Sequence, residues 1–182
     1  MKLYCRVVDV FDQKIMDDFI EEHKNNNIDF LAGDCSLILG KSYLQYENFY
    51  HWYREVRNLD LENNLKKKQV GCTCFLVFRK SDDKLIGIFD IRHNLNFLDG
   101  DILGHIGVDI RPTERGKGYY KNILQLAIIE AKNLSIDSIV ISCEYDNIVS
   151  KKGIDDVFGE YKQMVPFNGT YLYVYEKEVC DL

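Results

Sequence analysis

Proline, long apolar runs and positive charge are what this chain has least of. Two prolines among 182 residues, with 46% hydrophobic residues, exclude a linker-rich chain and point to a compact globule. No apolar stretch approaches the roughly 18 residues that a membrane helix needs. Met1-Lys2-Leu3-Tyr4-Cys5-Arg6 opens no run long enough for a secretory signal. The expectation is a soluble cytoplasmic protein with reduced thiols. Lysine and arginine number 23 against 29 acidic residues, a net charge of −6. That balance argues against nucleic acid and anionic membrane as partners, and Lys66-Lys67-Lys68, the only basic run, reads as a solvated loop. An acidic surface suits a cationic amine. The six cysteines, at 5, 35, 72, 74, 143 and 180, show no zinc-ligand spacing. Cys72-Thr73-Cys74 is one strand step with no second pair, so no metal is expected.

The length fits one domain, 1–182, and no repeat or low-complexity tract interrupts it. Lys2 to Val8 reads as a strand and Asp12 to Lys24 as a helix, with Asp12 as cap and Ile15, Phe19 and Ile20 as its apolar stripe. Asn25-Asn26-Asn27 ends it, and Ile28 to Gly40 has no clear period. Ser42 caps a second helix to about Asn58; its aromatics read either as core and surface belt or as walls of a substrate pocket. Gln69 to Arg79 and Leu85 to His93 form a hairpin turned at Lys80-Ser81-Asp82-Asp83, and Asn94 to Asp101 is a polar loop. Asp137 to Cys143 is a buried strand and Asn147 to about Asp156 a short helix. Glu160 to Val165 and Thr170 to Lys177 pair around Asn168-Gly169.

Gly104 to Ala131 reads as strand, tight basic turn and helix. Ile106, Val108 and Ile110 alternate as in a strand, and Pro112 stops the ladder. Tyr120, Ile123, Leu124, Ala127, Ile128 and Ala131 then share one helical face. A right-handed crossover through this helix places the Asp137–Cys143 strand parallel beside Gly104–Ile110. Between strand and helix, Arg115-Gly116-Lys117-Gly118 combines bare amides and cations at a helix start, which makes an anion receptor suited to phosphate. It is not a Walker loop, because Tyr119 stands where Ser or Thr is required. It is not a dinucleotide fingerprint either, because Lys121 stands where the third glycine belongs.

Arg115-x-x-Gly118 resembles the Arg/Gln-x-x-Gly-x-Gly/Ala signature of the GNAT superfamily of acyl-CoA N-acyltransferases. Tyr120 departs from it, standing where Gly or Ala is preferred; its ring either narrows the groove or turns into the helix–sheet interface. Leu85-Ile86-Gly87-Ile88-Phe89-Asp90-Ile91-Arg92-His93, Gly104-His105-Ile106-Gly107 and Cys143-Glu144-Tyr145-Asp146-Asn147-Ile148-Val149-Ser150 follow in the order and spacing of a bacterial subgroup of that superfamily. The likeness covers roughly residues 70 to 160. It implies a mixed α/β fold of about seven mostly antiparallel strands and about four helices, with a central parallel pair splayed to admit CoA.

The resemblance further implies acetyl-CoA as donor, a small-molecule or peptide amine as acceptor and no metal; a monomer and a homodimer both remain open. Backbone groups of Val108 and Ile110 would grip pantetheine. Arg115, Gly116, Lys117, Gly118, Tyr119 and Tyr120 would hold the diphosphate, and Asn147 and Ser150 the CoA arm, although Asn147 also reads as a plain helix cap. The tyrosine acid of many relatives is replaced by Ile154, leaving Tyr145, Tyr119, a water or no acid at all. As base, His105 stands first and Glu144 second; a core histidine bonded to backbone is the other reading of His105. Arg92 and His93 would bind an anionic group of the acceptor, or Arg92 would make a surface ion pair. Cys143 reads as a nucleophile or a buried inert thiol. A catalytically silent CoA-binding module is the alternative function.

Overall fold

The computed structural model describes residues 2–62, 65–66, 69–97 and 99–181; Lys67 and Lys68 of the basic run lie outside the described residues. The elements in chain order are β1 (Leu3–Val7), α1 (Gln13–Asn25), α2 (Ser36–Leu39), α3 (Phe49–Asp60), β2 (Cys72–Arg79), β3 (Lys84–Arg92), α4 (Gly100–Leu103), β4 (Ile106–Ile110), α5 (Tyr119–Asn133), β5 (Ser138–Glu144), α6 (Ile148–Phe158), β6 (Gln163–Phe167) and β7 (Thr170–Glu178). β2 and β3 are buried along their whole length except Arg79 and Lys84, so helices must cover both faces of their sheet. On one face α1 and α3 bring Met16, Phe19, Trp52 and Val56 against Leu76 and Ile88. On the other, α5 and α6 bring Ile123, Ala127 and Ile154 against Phe75, Phe89 and Ile141. No helix among the described residues is long and apolar enough to cross a membrane.

The strands form two sheets, β1-β2-β3-β4 and β5-β7-β6, and every pairing within them is antiparallel. β4 and β5, expected as a parallel pair splayed apart, fall in different sheets and share no ladder. They meet through one isolated antiparallel bridge, Gly104 to Ile141, and through His105, whose N–H donates to Val140 O at 2.7 Å. The Val140 N–H, which a neighbouring strand would satisfy, donates instead to His105 Nδ1 at 3.0 Å.

Other boundaries shift for tertiary reasons. Among the described residues six helices replace the expected four, because α2 and α4 add single turns in segments without period. The second helix begins at Phe49, not Ser42. Buried Asp34 accepts from the Ser42 hydroxyl at 2.8 Å and the Tyr43 N–H at 2.6 Å, folding 43–45 into a separate 3-10 turn, and Asn48 caps α3 instead. The last hairpin holds its Asn168-Gly169 turn, both residues at positive φ, while its first strand starts at Gln163.

Gly104 marks where the sheets join: its φ is +76°, and a Cβ there would lie 2.4 Å from Val140 O. Gly159 shares that backbone region, at φ +81°, but has open space around it. Alanine at either position carries strain of roughly 1–3 kcal/mol. Gly104→Ala adds a backbone clash worth about 1–3 kcal/mol more. Urea unfolding should show the larger loss at Gly104; equal losses would mean that the join yields without cost.

Candidate active site

β4 runs into Arg111, whose buried guanidinium fixes the start of the turn. Nε donates to Leu85 O at 2.8 Å, Nη1 to Glu22 at 2.7 Å and Nη2 to Asp18 at 2.9 Å. Thr113 donates its N–H and its hydroxyl to Glu22, both at 2.8 Å, so α1 holds the turn from below. Pro112 opens a single 3-10 turn ending at Glu114. The Glu114 carboxylate is buried and accepts from Lys84 at 2.8 Å, Lys117 at 3.0 Å and Arg79 at 3.1 Å. Burial pushes its pKa up, but Lys84, Lys117 and Arg79 together outweigh that and hold it at about 2.

Beyond this anchor, Arg115 to Gly118 are exposed. Gly116 and Gly118 have φ of +73° and +78°, with nothing near a would-be Cβ, so the left-handed backbone and not crowding requires glycine. Gly118 is the N-cap of α5 and offers no side-chain cap. Among the described residues, the N–H groups from Gly116 to Tyr120 make no hydrogen bond. They stand as free donors at the positive end of a 15-residue helix. Arg115 donates to Asp109 at 3.0 Å and to Ile110 O at 2.9 Å, and both Arg115 and Lys117 are half-exposed.

The neighbouring edge of β4 is open. His105 O accepts from Arg92 N–H and Arg111 N–H donates to Ile86 O, both at 2.8 Å. Antiparallel alternation then turns 107 and 109 toward β3 and leaves the backbone of Ile106, Val108 and Ile110 on the far edge. Ile110 O is taken by Arg115, while Val108 has no backbone partner there among the described residues.

Across the opening, Asn147 caps α6, its Oδ1 accepting from Ser150 N–H at 3.0 Å. Glu144 is exposed at the end of β5. Tyr145 is exposed too, its ring 5.6 Å from that of Tyr173. Tyr120 turns its ring into α6, where the Cβ that Gly153 lacks would lie 2.3 Å from it. Burial raises the Tyr120 pKa and Ser150 partly offsets that. Ile154 is wholly buried. Cys143 is buried and its thiol is pushed up to about 11, mainly by burial, which favours the inert reading. Two surface hollows, of about 410 and 440 Å³, flank α1 and are not lined by the turn.

A family model for the acetyltransferase (GNAT) family matches residues 41–152, more than half of the chain. The chain belongs to that family. It is an N-acetyltransferase with acetyl-CoA as co-substrate. No curated protein matches it. Among solved structures, spermidine N-acetyltransferase from Vibrio cholerae, in complex with CoA and spermine, superposes with a TM-score of 0.60 at 14% identity, covering 98% of this chain and 96% of that one. The Salmonella typhimurium acetyltransferase that modifies the N-terminal serine of ribosomal protein L7/L12 gives 0.63 at 16%, covering 98% and 95%. YncA from Salmonella typhimurium, with its cofactor acetyl-CoA, gives 0.61 at 15%, covering 98% and 95%. At such identities the likeness shows the fold.

Several expected site residues of this GNAT chain take other positions. His105 is buried; its Nδ1 lone pair accepts from Val140, and burial, then Arg92, lowers its pKa to about 4. Its neutral ring therefore carries its proton on Nε2 and has no free lone pair, the state of a core histidine. Arg92 makes no surface ion pair: it is buried, donating to Gly104 O at 2.8 Å and to Asp90 at 2.9 Å. Both His93 nitrogens are engaged, with Thr73 at 2.8 Å and Glu62 at 2.9 Å. Tyr119 sends only its N–H to the turn; its ring is core, and its hydroxyl accepts from Arg79 at 3.0 Å. Sequence reasoning missed Glu114, Arg79 and the pair His23–Asp109, 3.1 Å apart and 86 residues distant in the chain. The one local signal was Asp109 itself, a polar side chain alternating with Val108 and Ile110.

Two outcomes are expected. Gly153→Ala should destabilise the protein while Tyr120 is present, yet stabilise by up to ~1 kcal/mol in a Tyr120→Ala background, where only helix propensity is left; additivity in the double-mutant cycle would deny the ring contact. Glu114 has a folded pKa of about 2 against an ordinary 4.5, so its contribution is complete above pH 4.5 and is lost as pH falls toward 2. The stability gap between the wild type and Glu114→Gln should therefore shrink across that window; a gap constant with pH would contradict the ion cluster.

Proposed function

We propose that the protein transfers the acetyl group of acetyl-CoA to a primary amine, on a small molecule or a peptide, by direct attack of the amine on the thioester. The observation that carries this is the run of uncommitted N–H groups from Gly116 to Tyr120 at the start of α5, beside the unpaired edge of Val108. Those amides receive the diphosphate, with charge from Arg115 and Lys117. The pantetheine arm lies along Val108 and Ile110 as an added strand would, and Asn147 and Ser150 flank the CoA arm from α6. The departing thiolate, with a thiol pKa of ~8.5, leaves without an acid where Ile154 replaces tyrosine. Glu144, an exposed carboxylate at the end of β5, is the base in this reading; His105 joins the sheets. The acceptors named for two structural neighbours, spermidine and an N-terminal serine, both offer primary amines, and the net charge of −6 suits a cationic acceptor. Cys5, Cys35, Cys72, Cys74 and Cys143 are thiols, the state a reducing cytoplasm maintains.

Calorimetric titration with acetyl-CoA and thiol release across an amine panel test this together. Binding should occur and weaken by up to about fivefold in Arg115→Ala, the scale of one half-exposed ion pair. Glu144→Gln should lower kcat by about 10²–10⁴ with the KM for acetyl-CoA unchanged. No heat from folded protein would end the reading. Binding without thiol release on any amine would leave a silent CoA-binding module.

A further inference from the structure

The fold assembles what the cysteine spacing does not announce. Cys72 and Cys74 lie on one face of β2, opposite Arg92 and Asp90 of β3 in the ladder. Cys35, the N-cap of α2 at a left-handed φ of +62°, comes down onto that face from 37 residues away and sets its Sγ 3.0 Å from Cys72 Sγ. The two sulfurs and an Asp90 carboxylate oxygen lie within 4.8 Å of one another, and all three residues are completely buried. Two sulfurs on one tetrahedral zinc stand about 3.8 Å apart, given Zn–S of ~2.3 Å, so a movement of under ~1 Å opens the pair to an ion.

We propose that Cys35, Cys72 and Asp90 form a structural site for a soft divalent metal, zinc by its chemistry. The donor set selects it: thiolates favour zinc over magnesium or calcium, which take oxygen. The carboxylate is already oriented, as ligating carboxylates are. Asp90 Oδ1 accepts from Arg92 at 2.9 Å and Gly107 N–H at 3.1 Å, while among the described residues Oδ2 accepts only from Cys35 N–H at 2.7 Å and keeps a lone pair. Charge balances as well: two thiolates and one carboxylate against Zn²⁺ and Arg92 sum to zero, which a dry interior requires. Binding breaks two S–H bonds, forms two S–metal bonds and releases two protons to solvent. The ion takes no part in acetyl transfer. It bolts the segment carrying Ala32 and Gly33, which packs on Gly107 and Ile88, to the middle of the sheet.

The test is full-length protein refolded with Co²⁺, so that burial does not bar entry. Thiolate-to-cobalt charge-transfer absorption should saturate at one ion per chain, be bleached by Zn²⁺, disappear in Cys35→Val and Cys72→Val, and survive in Cys143→Val. Zinc should also raise the melting temperature of the wild type and leave that of Cys72→Val unmoved. Wild type that is folded by circular dichroism but lacks the absorption in excess Co²⁺ overturns the site. So does a Cys35–Cys72 disulfide found in its place, or absorption that persists without Cys35 and Cys72. Should both valine variants fail to fold, the wild-type cobalt spectrum alone decides. Acetyl-CoA binding is measured separately, so failure here leaves the transferase reading untouched.

Discussion

The bond from His105 N–H to Val140 O, 2.7 Å, and its return from Val140 N–H to the His105 ring, 3.0 Å, hold the two sheets together at one end only. A backbone partner in place of the ring would continue the ladder and zip β4 to β5. A side chain cannot propagate a ladder, so past Gly107 the strands part and β4 keeps a free edge. An unpaired edge is a standing liability in a sheet unless something covers or uses it. Here the chain places its amide-rich turn at the end of that edge, so one ligand can satisfy both.

That turn owes its shape to anchors outside it. Arg111 ties its first residue to α1, and Glu114 ties its middle to β2 and β3 through Arg79 and Lys84. With both ends fixed, Gly116 and Gly118 can hold a left-handed backbone and the amides stay uncommitted. Hydrogen bonds to a charged group contribute about 1.5–3 kcal/mol each, against a typical 0–1 kcal/mol for a half-exposed ion pair. For an anion at this mouth the amides therefore outweigh the cations. The acidic balance of the whole chain does not oppose binding set by local geometry.

What could be read from the sequence was what neighbours in sequence decide. Pro112, Gly116, Gly118 and the apolar stripe from Tyr120 to Ala131 are local signals, and they located strand, turn and helix. Asn168-Gly169 did the same for the last hairpin. What could not be read depends on distant partners. Asp34 breaks the expected helix at Ser42 by taking the Tyr43 N–H, and Asp90 draws Arg92 inward from the surface. His105 has two readings until Val140, 35 residues away, takes its lone pair. Tyr120 departs from the family signature, yet its ring fits because Gly153, 33 positions on, leaves room. The departure and its compensation form a single feature that no local window contains.

The same long-range pairing explains how the turn can lend its charges. Arg115 rests on Asp109 and Lys117 on Glu114. Were either cation simply withdrawn, it would leave a carboxylate that is buried or nearly so without its partner, a costly change. Neither anion is left in that state. Asp109 retains His23 at 3.1 Å, and Glu114 retains Lys84 at 2.8 Å and Arg79 at 3.1 Å. Each bond given up is half-exposed and of small worth, each carboxylate remains compensated, and an arriving diphosphate supplies the cation with a doubly charged partner. The acidic groups beneath the turn thus hold its cations in place without competing strongly for them. A sequence scan that counts only positive residues around a phosphate site does not detect this arrangement.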